Sequence, residues 1–66
     1  MELKCLLRVR LAEKEMRLTE LAHKSGLNYN YLSDVQNGRK EPGIRNALLI
    51  SDALNLTVED IWNIKK

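Results

Sequence analysis

Phenylalanine is missing from this 66-residue chain, and Cys5, His23, Pro42 and Trp62 are each the sole residue of their type. A single cysteine excludes an intrachain disulfide and a cysteine-based zinc cluster, and it points to a reducing, cytoplasmic setting. Cys5 reads as a small apolar filler. His23 is the only histidine and has no cysteine nearby, so it reads as a solvated side chain on the outer face of a helix, and neither a metal nor a cofactor is expected. The longest apolar run is a few residues, and no charged start leads into an apolar core. Neither a membrane span nor a secretory signal is therefore expected. A chain this short buries only about 60% of the surface its unfolded form exposes, which leaves no room for a deep cavity between subdomains. One domain over 1–66 is expected, with no small-molecule substrate and no enzymatic activity.

With only three glycines and one proline, little interrupts the strong helix formers Leu, Ala, Glu, Lys and Arg that fill much of the rest. No alternation of period two stands out, so the expectation is an all-α fold. Net charge is only +2, but its placement is uneven. Residues 4–40 carry eight Lys or Arg against Glu13, Glu15, Glu20 and Asp34, whereas 41–62 set Arg45 against Glu41, Asp52, Glu59 and Asp60. One half suits a polyanion and the other faces elsewhere.

Five helices are predicted. Leu3, Leu7 and Leu11 repeat every four residues and mark the first, from about Lys4 to Glu15. Arg10 and Lys14 fall beside its apolar stripe, either covering core with their stems or, for Arg10, meeting a buried partner. A second helix from about Leu18 to Lys24 stops at Ser25-Gly26. Asn28 caps a third, whose inner face is Leu32 and Val35 and whose stop is Asn37-Gly38. After a loop through Pro42-Gly43, Ile44, Leu48, Leu49, Ala53 and Leu54 form the inward stripe of a fourth, fading at Asn55. Thr57 and Asp60 resemble a capping box opening a fifth, with Val58, Ile61 and Trp62 as its apolar positions.

The stretch from about 18 to 37 solves a particular packing problem. Ala22 has almost no side chain where two short helices would cross, Gly26 makes the sharp bend four residues later, and Leu21, Leu27, Leu32 and Val35 plug the interior. This is a helix-turn-helix pattern, and a plain helical hairpin has no need of the Ala22-to-Gly26 spacing.

These residues, with Glu20-Leu21-Ala22, Tyr31-Leu32-Ser33, Asn37-Gly38-Arg39-Lys40 before Pro42, and Ala53-Leu54-Asn55-Leu56 leading to Val58-Glu59-Asp60-Ile61, make the chain similar to the lambda-repressor-like Xre/Cro family of bacterial and phage regulators. The resemblance covers nearly all of the chain. It implies a compact five-helix DNA-binding domain, commonly a homodimer, whose third helix enters the major groove of a roughly palindromic double-stranded operator.

The residues of the third helix agree. With Leu32 and Val35 inward, Tyr29, Asn30, Ser33 and Asp34 are left on the outer side as base-contacting candidates. Asn30 can bond adenine bidentately, Ser33 can donate or accept, Asp34 can accept from cytosine, and Tyr29 can touch a thymine methyl or a phosphate. Asp34 is awkward there, because phosphates repel it unless it reads cytosine or pairs with a basic neighbour. The phosphate-contacting candidates are Arg17, Asn28, Tyr31, Asn37, Arg39 and Lys40, with Asn37 implied by the resemblance. Two features depart from the family pattern. Arg17-Leu18 stand where Ser or Thr followed by Gln is usual, which removes one phosphate grip and leaves Leu18 to pack inward. Leu11 and Gln36 replace an Arg–Glu pair, a joint loss that strands no ion, and neighbouring Arg10 is in reach of Gln36. Val58, Ile61, Trp62 and Ile64 are too apolar for one thin helix to hide, and are expected to form core plus a homodimer seam. The alternative is a protein-binding module, an antitoxin or adaptor, that grips a partner through that apolar end.

Overall fold

The computed structural model describes residues 2–65, as strand β1 (Glu2–Cys5), helices α1 (Leu7–Glu13), α2 (Leu18–Ser25), α3 (Tyr29–Gln36), α4 (Ile44–Leu54) and α5 (Val58–Ile61), and strand β2 (Trp62–Lys65). Five helices are present as expected, but the fold is not all-α. Strand β1 pairs antiparallel with β2, Leu3 opposite Ile64 and Cys5 opposite Trp62. Each strand alternates over only a few positions, Leu3-Lys4-Cys5 and Trp62-Asn63-Ile64, and each finds its partner at the far end of the chain. Leu3 therefore belongs to the strand rather than to a helical stripe, the first helix starts at Leu7, and Trp62 leaves the fifth helix to open β2.

On this ribbon Leu3, Cys5, Trp62 and Ile64 share one face, since alternate residues and cross-strand partners point the same way. Trp62 is buried and Cys5 packs beside it against the core, as an apolar filler should, while Leu3 and Ile64 lie beyond the core's edge and are exposed. The Leu6 N–H donates to the Ile61 carbonyl at 2.6 Å, which joins the ribbon to α1 and α5.

The core is built from Leu7 and Leu11 of α1, Leu21 of α2, Leu32 and Val35 of α3, Ala47, Ile50 and Leu54 of α4, Ile61 and Trp62. Each fully buried aliphatic chain contributes about 1.5–3 kcal/mol relative to exposure. Leu18 packs inward, as its awkward position at the start of α2 requires. Ile61 and Trp62 complete the core inside the chain, so of the four residues expected at a dimer seam only Ile64 is widely exposed, with Val58 half-buried.

Helix α4 departs most from expectation. Its inward residues are Ala47, Ile50, Ser51 and Leu54, whereas Ile44, Leu48 and Leu49 face outward. Ala47, Ile50, Ser51 and Leu54 recur three and four apart and Ile44 and Leu48 four apart, because α4 carries apolar residues on most sides, so the pattern leaves the phase of the helix open. Ser51 is tolerated inside because its hydroxyl donates to the Ala47 carbonyl one turn back.

Two expected helix ends are present in detail. Asn55 ends α4 in the left-handed conformation at φ 59°. The capping box opens α5, where the Thr57 N–H donates to the Asp60 carboxylate at 3.0 Å. That backbone bond, a second from the Thr57 side chain and the nearby Arg10 charge hold the Asp60 carboxyl below its ordinary value of 3.8. Arg10 does have a partner at its half-buried site: Nε donates to the Asp60 carbonyl at 2.7 Å, and Nη1 meets the Glu13 carboxylate at 3.0 Å. Arg10 thus ties α1 to α5 rather than reaching Gln36.

Candidate nucleic-acid interface

The bend between α2 and α3 is set by Gly26, which takes φ 76° and donates its N–H to the Ala22 carbonyl at 3.0 Å. A residue with a Cβ is strained in that region, and glycine is not. The chain then turns through Leu27 into Asn28, whose side-chain oxygen accepts from the Asn30 N–H at 2.7 Å and the Tyr31 N–H at 3.4 Å. Two of the four otherwise orphaned donors at the start of α3 are satisfied this way. With that oxygen committed, Asn28 offers a phosphate only its amide N–H₂.

Burial of Leu32 and Val35 fixes the rotation of α3 and decides which side chains stand out. Tyr29 is 48% exposed and Asn30 is exposed beside it on the first turn. Ser33 is half-buried and accepts from the Asn37 side-chain amide at 3.5 Å. Asp34 is committed differently: Arg39 Nε donates to its carboxylate at 2.9 Å, and Lys40 Nζ lies 3.8 Å from its other oxygen. Its backbone carbonyl also accepts from the Arg39 N–H at 2.8 Å and the Lys40 N–H at 3.3 Å. The four base-contacting candidates therefore divide into an open pair at the helix start, Tyr29 and Asn30, a half-buried hydroxyl, Ser33, and a paired carboxylate, Asp34, near the helix end.

Of the phosphate candidates, Asn37, Arg39 and Lys40 gather around that same end, whereas Asn28 and Tyr31 lie at the helix start and Arg17 precedes α2. Gly38, at φ 78°, turns the chain so that Arg39 and Lys40 lie back along α3. Lys40 Nζ sits 5.8 Å from the centre of the Tyr31 ring, within cation–π range. The Tyr31 hydroxyl in turn accepts from the Asn46 amide of α4 at 3.0 Å, which leaves its own proton to donate. Arg17 is exposed immediately before α2, in extended backbone, where the positive end of the helix dipole adds to its charge.

Two residues here escape a reading of the sequence. Arg8, on the exposed side of α1, donates Nη2 to the Asn37 side-chain oxygen. Asn46 holds Tyr31. Each contacts a partner far away in the chain, so no local spacing marks either one.

A model of the Cro/C1-type helix-turn-helix DNA-binding domain matches residues 6–66. The chain belongs to this family. Among curated relatives it is similar to the ImmF control region 10 kDa protein of Bacillus phage phi105, with 34% identity over 55 residues, covering 83% of this chain and 61% of that protein. The chain thus spans about three-fifths of the length of that phage relative. Among solved structures it is similar to the restriction-modification controller protein C.AhdI from Aeromonas hydrophila, with a TM-score of 0.78 and 28% identity over 82% of each chain. The clp gene regulator ClgR from C. glutamicum matches with a TM-score of 0.76 and 37% identity, over 82% of this chain and 70% of the other. The Cro/C1-type domain is a DNA-binding module and not an enzyme family. Among the described residues no helix is long and apolar enough to cross a membrane.

Proposed function

We propose that this protein is a sequence-selective transcriptional regulator, a repressor, that binds a double-stranded operator as a homodimer with α3 in the major groove. The observation that carries this reading is the arrangement of α3. Tyr29 and Asn30 stand exposed on its first turn, while Arg8, Arg39 and Lys40 collect around its last turn and the loop that follows. A recognition helix meets base edges near its N-terminus, and flanking cations grip phosphates on either side. Asn30 reads adenine by a bidentate bond, Tyr29 packs on a thymine methyl, and Ser33 supplies a further polar contact. Arg17, the Asn28 amide, the Tyr31 hydroxyl, Asn37, Arg39 and Lys40 position the domain on the backbone. The regulators among its structural relatives support this reading, and operator binding places the protein in the cytoplasm with its DNA.

Selection of bound fragments from a random duplex pool, followed by a salt titration on the enriched sequence, tests the proposal. Two half-sites about 10 base pairs apart are expected. The log–log slope should be roughly −0.9 per phosphate neutralised. Asn30→Ala should weaken the selected duplex far more than a random one, and Arg39→Ala should weaken both alike. A pool that returns no enriched sequence, or wild-type protein with no duplex affinity at low salt, contradicts the reading and favours a protein-binding role.

A further inference from the structure

Helix α4 turns an apolar side to the surface, with Ile44 76%, Leu48 55% and Leu49 37% exposed. Down the middle of that side run two charges, Arg45 and Asp52, both exposed. Neither joins an ion pair formed among the described residues. At 3.6 residues per turn, positions seven apart lie almost in line, about 10 Å along the axis. Leu48 and Leu49 fall between the two charges and flank that line on opposite sides.

The order Arg45, Leu48, Leu49, Asp52 is symmetric about the midpoint between the two leucines, with the sign of charge inverted across it. That arrangement is self-complementary in a two-fold contact. In an isologous interface, residue i of one copy meets residue j of the other, and j meets i. If two α4 helices pack antiparallel about an axis through the midpoint, Arg45 of each copy falls on Asp52 of the other, and the leucines meet their counterparts. We propose that this face of α4 is the self-association seam, occupied by a second copy of the chain.

The proposal rests on the homodimer reading above and moves the seam away from the C-terminal residues. A dissimilar partner imposes no mirror relation on the two charges, and a lipid surface gains nothing from Asp52 at the centre of the face. Beside the seam, Ile44 continues into a shallow hollow with Pro42, Val58 and Leu3, which extends the apolar area toward the terminal ribbon.

Charge reversal on the full chain tests this, read by sedimentation equilibrium across a concentration series. Arg45→Glu and Asp52→Lys each create two like-charge contacts per dimer, and each should weaken dimerisation by roughly tenfold or more. An equimolar mixture of the two should regain wild-type dimerisation, because one contact then pairs the two introduced charges and the other pairs the two native ones. The double variant Arg45→Glu/Asp52→Lys should dimerise on its own for the same reason, and it covers the case in which a single variant fails to fold by far-UV circular dichroism. The seam is overturned if the wild type stays monomeric, if both single variants dimerise like the wild type, or if the mixture and the double variant stay monomeric. Duplex affinity of the wild type, measured separately, distinguishes loss of the seam from loss of the DNA-binding reading.

Discussion

Asp34 and Arg39 face each other at the end of α3, the Arg39 Nε donating to the carboxylate at 2.9 Å while Lys40 approaches the other oxygen at 3.8 Å. A carboxylate that reads cytosine needs a free lone pair aimed at the groove, and here both oxygens are turned toward the loop cations. Asp34 thus holds in place, and partly neutralises, two charges that phosphates would otherwise draw. Asp34→Asn is expected to raise affinity for selected and random duplexes alike, by about two- to fivefold, the range set by a single exposed ion pair. The loop should keep its course, since the Asp34 backbone carbonyl still accepts from the Arg39 and Lys40 N–H groups. Fluorescence anisotropy on both duplexes reads the effect. A loss confined to the selected sequence would instead make Asp34 a base reader.

Arg8 joins the candidate interface through Asn37, whose side-chain oxygen accepts from its guanidinium. The Asn37 amide donates in turn to Ser33, so the three side chains link α1 to the end of α3. A guanidinium held at that edge with unused donors is placed for a phosphate oxygen. Arg8→Ala should lower affinity for any duplex and reduce the salt slope by roughly 0.9. Thermal stability should stay within about 0.5 kcal/mol of wild type, as for most exposed substitutions. An unchanged slope would reduce Arg8 to a strut between the two helices.

What the sequence makes legible here is what neighbouring residues decide. The bend at Gly26, the Asn28 cap, the inward Leu32 and Val35 and the Thr57–Asp60 box all involve residues within a few positions of one another, and each is present as expected. What distant residues decide is hidden. The ribbon pairs Leu3 with Ile64, Arg10 meets the Asp60 carbonyl, Arg8 meets Asn37, and Asn46 meets Tyr31, all across long stretches of chain. The outward turn of Ile44, Leu48 and Leu49 is a third case. There the local signal exists but is degenerate, because apolar residues on most sides of the helix allow two inward phases and only packing selects one.

Acid sensitivity should trace in part to Asp60. Its carboxyl sits below its ordinary value of 3.8, chiefly because the Thr57 N–H donates to the charged form. The folded chain therefore binds that proton less readily than the unfolded chain does. This stabilisation is complete above the unfolded value and falls away as the pH drops through the lower folded value. Asp60→Asn should show a smaller loss of stability on acidification, and a lower stability than wild type near neutrality. Urea midpoints measured between about pH 2 and pH 7 check both. Parallel pH profiles for the two proteins would remove Asp60 from the account.

The Asn28 side chain has a capping oxygen and a proposed phosphate-binding amide that substitution can separate. Its oxygen caps α3 at 2.7 Å from the Asn30 N–H, and its amide is left for a phosphate. Asn28→Ala removes both, and should cost about 1 kcal/mol of stability, the usual price of a lost cap. For a domain this small that lowers the melting temperature by roughly 4–8 °C. Asn28→Asp keeps an acceptor at the cap, and its charge is favoured beside a helix N-terminus, so stability should match or exceed the wild type. In the proposed docking the same carboxylate replaces a donor with an anion beside phosphate, and duplex affinity should then fall for every sequence. Calorimetry and anisotropy on the two variants therefore give opposite orders: Asn28→Asp the more stable, yet no better at binding than Asn28→Ala. If Asn28→Asp binds DNA as the wild type does, Asn28 only caps α3, and the phosphate contacts at this end of the helix fall to Arg17 and Tyr31.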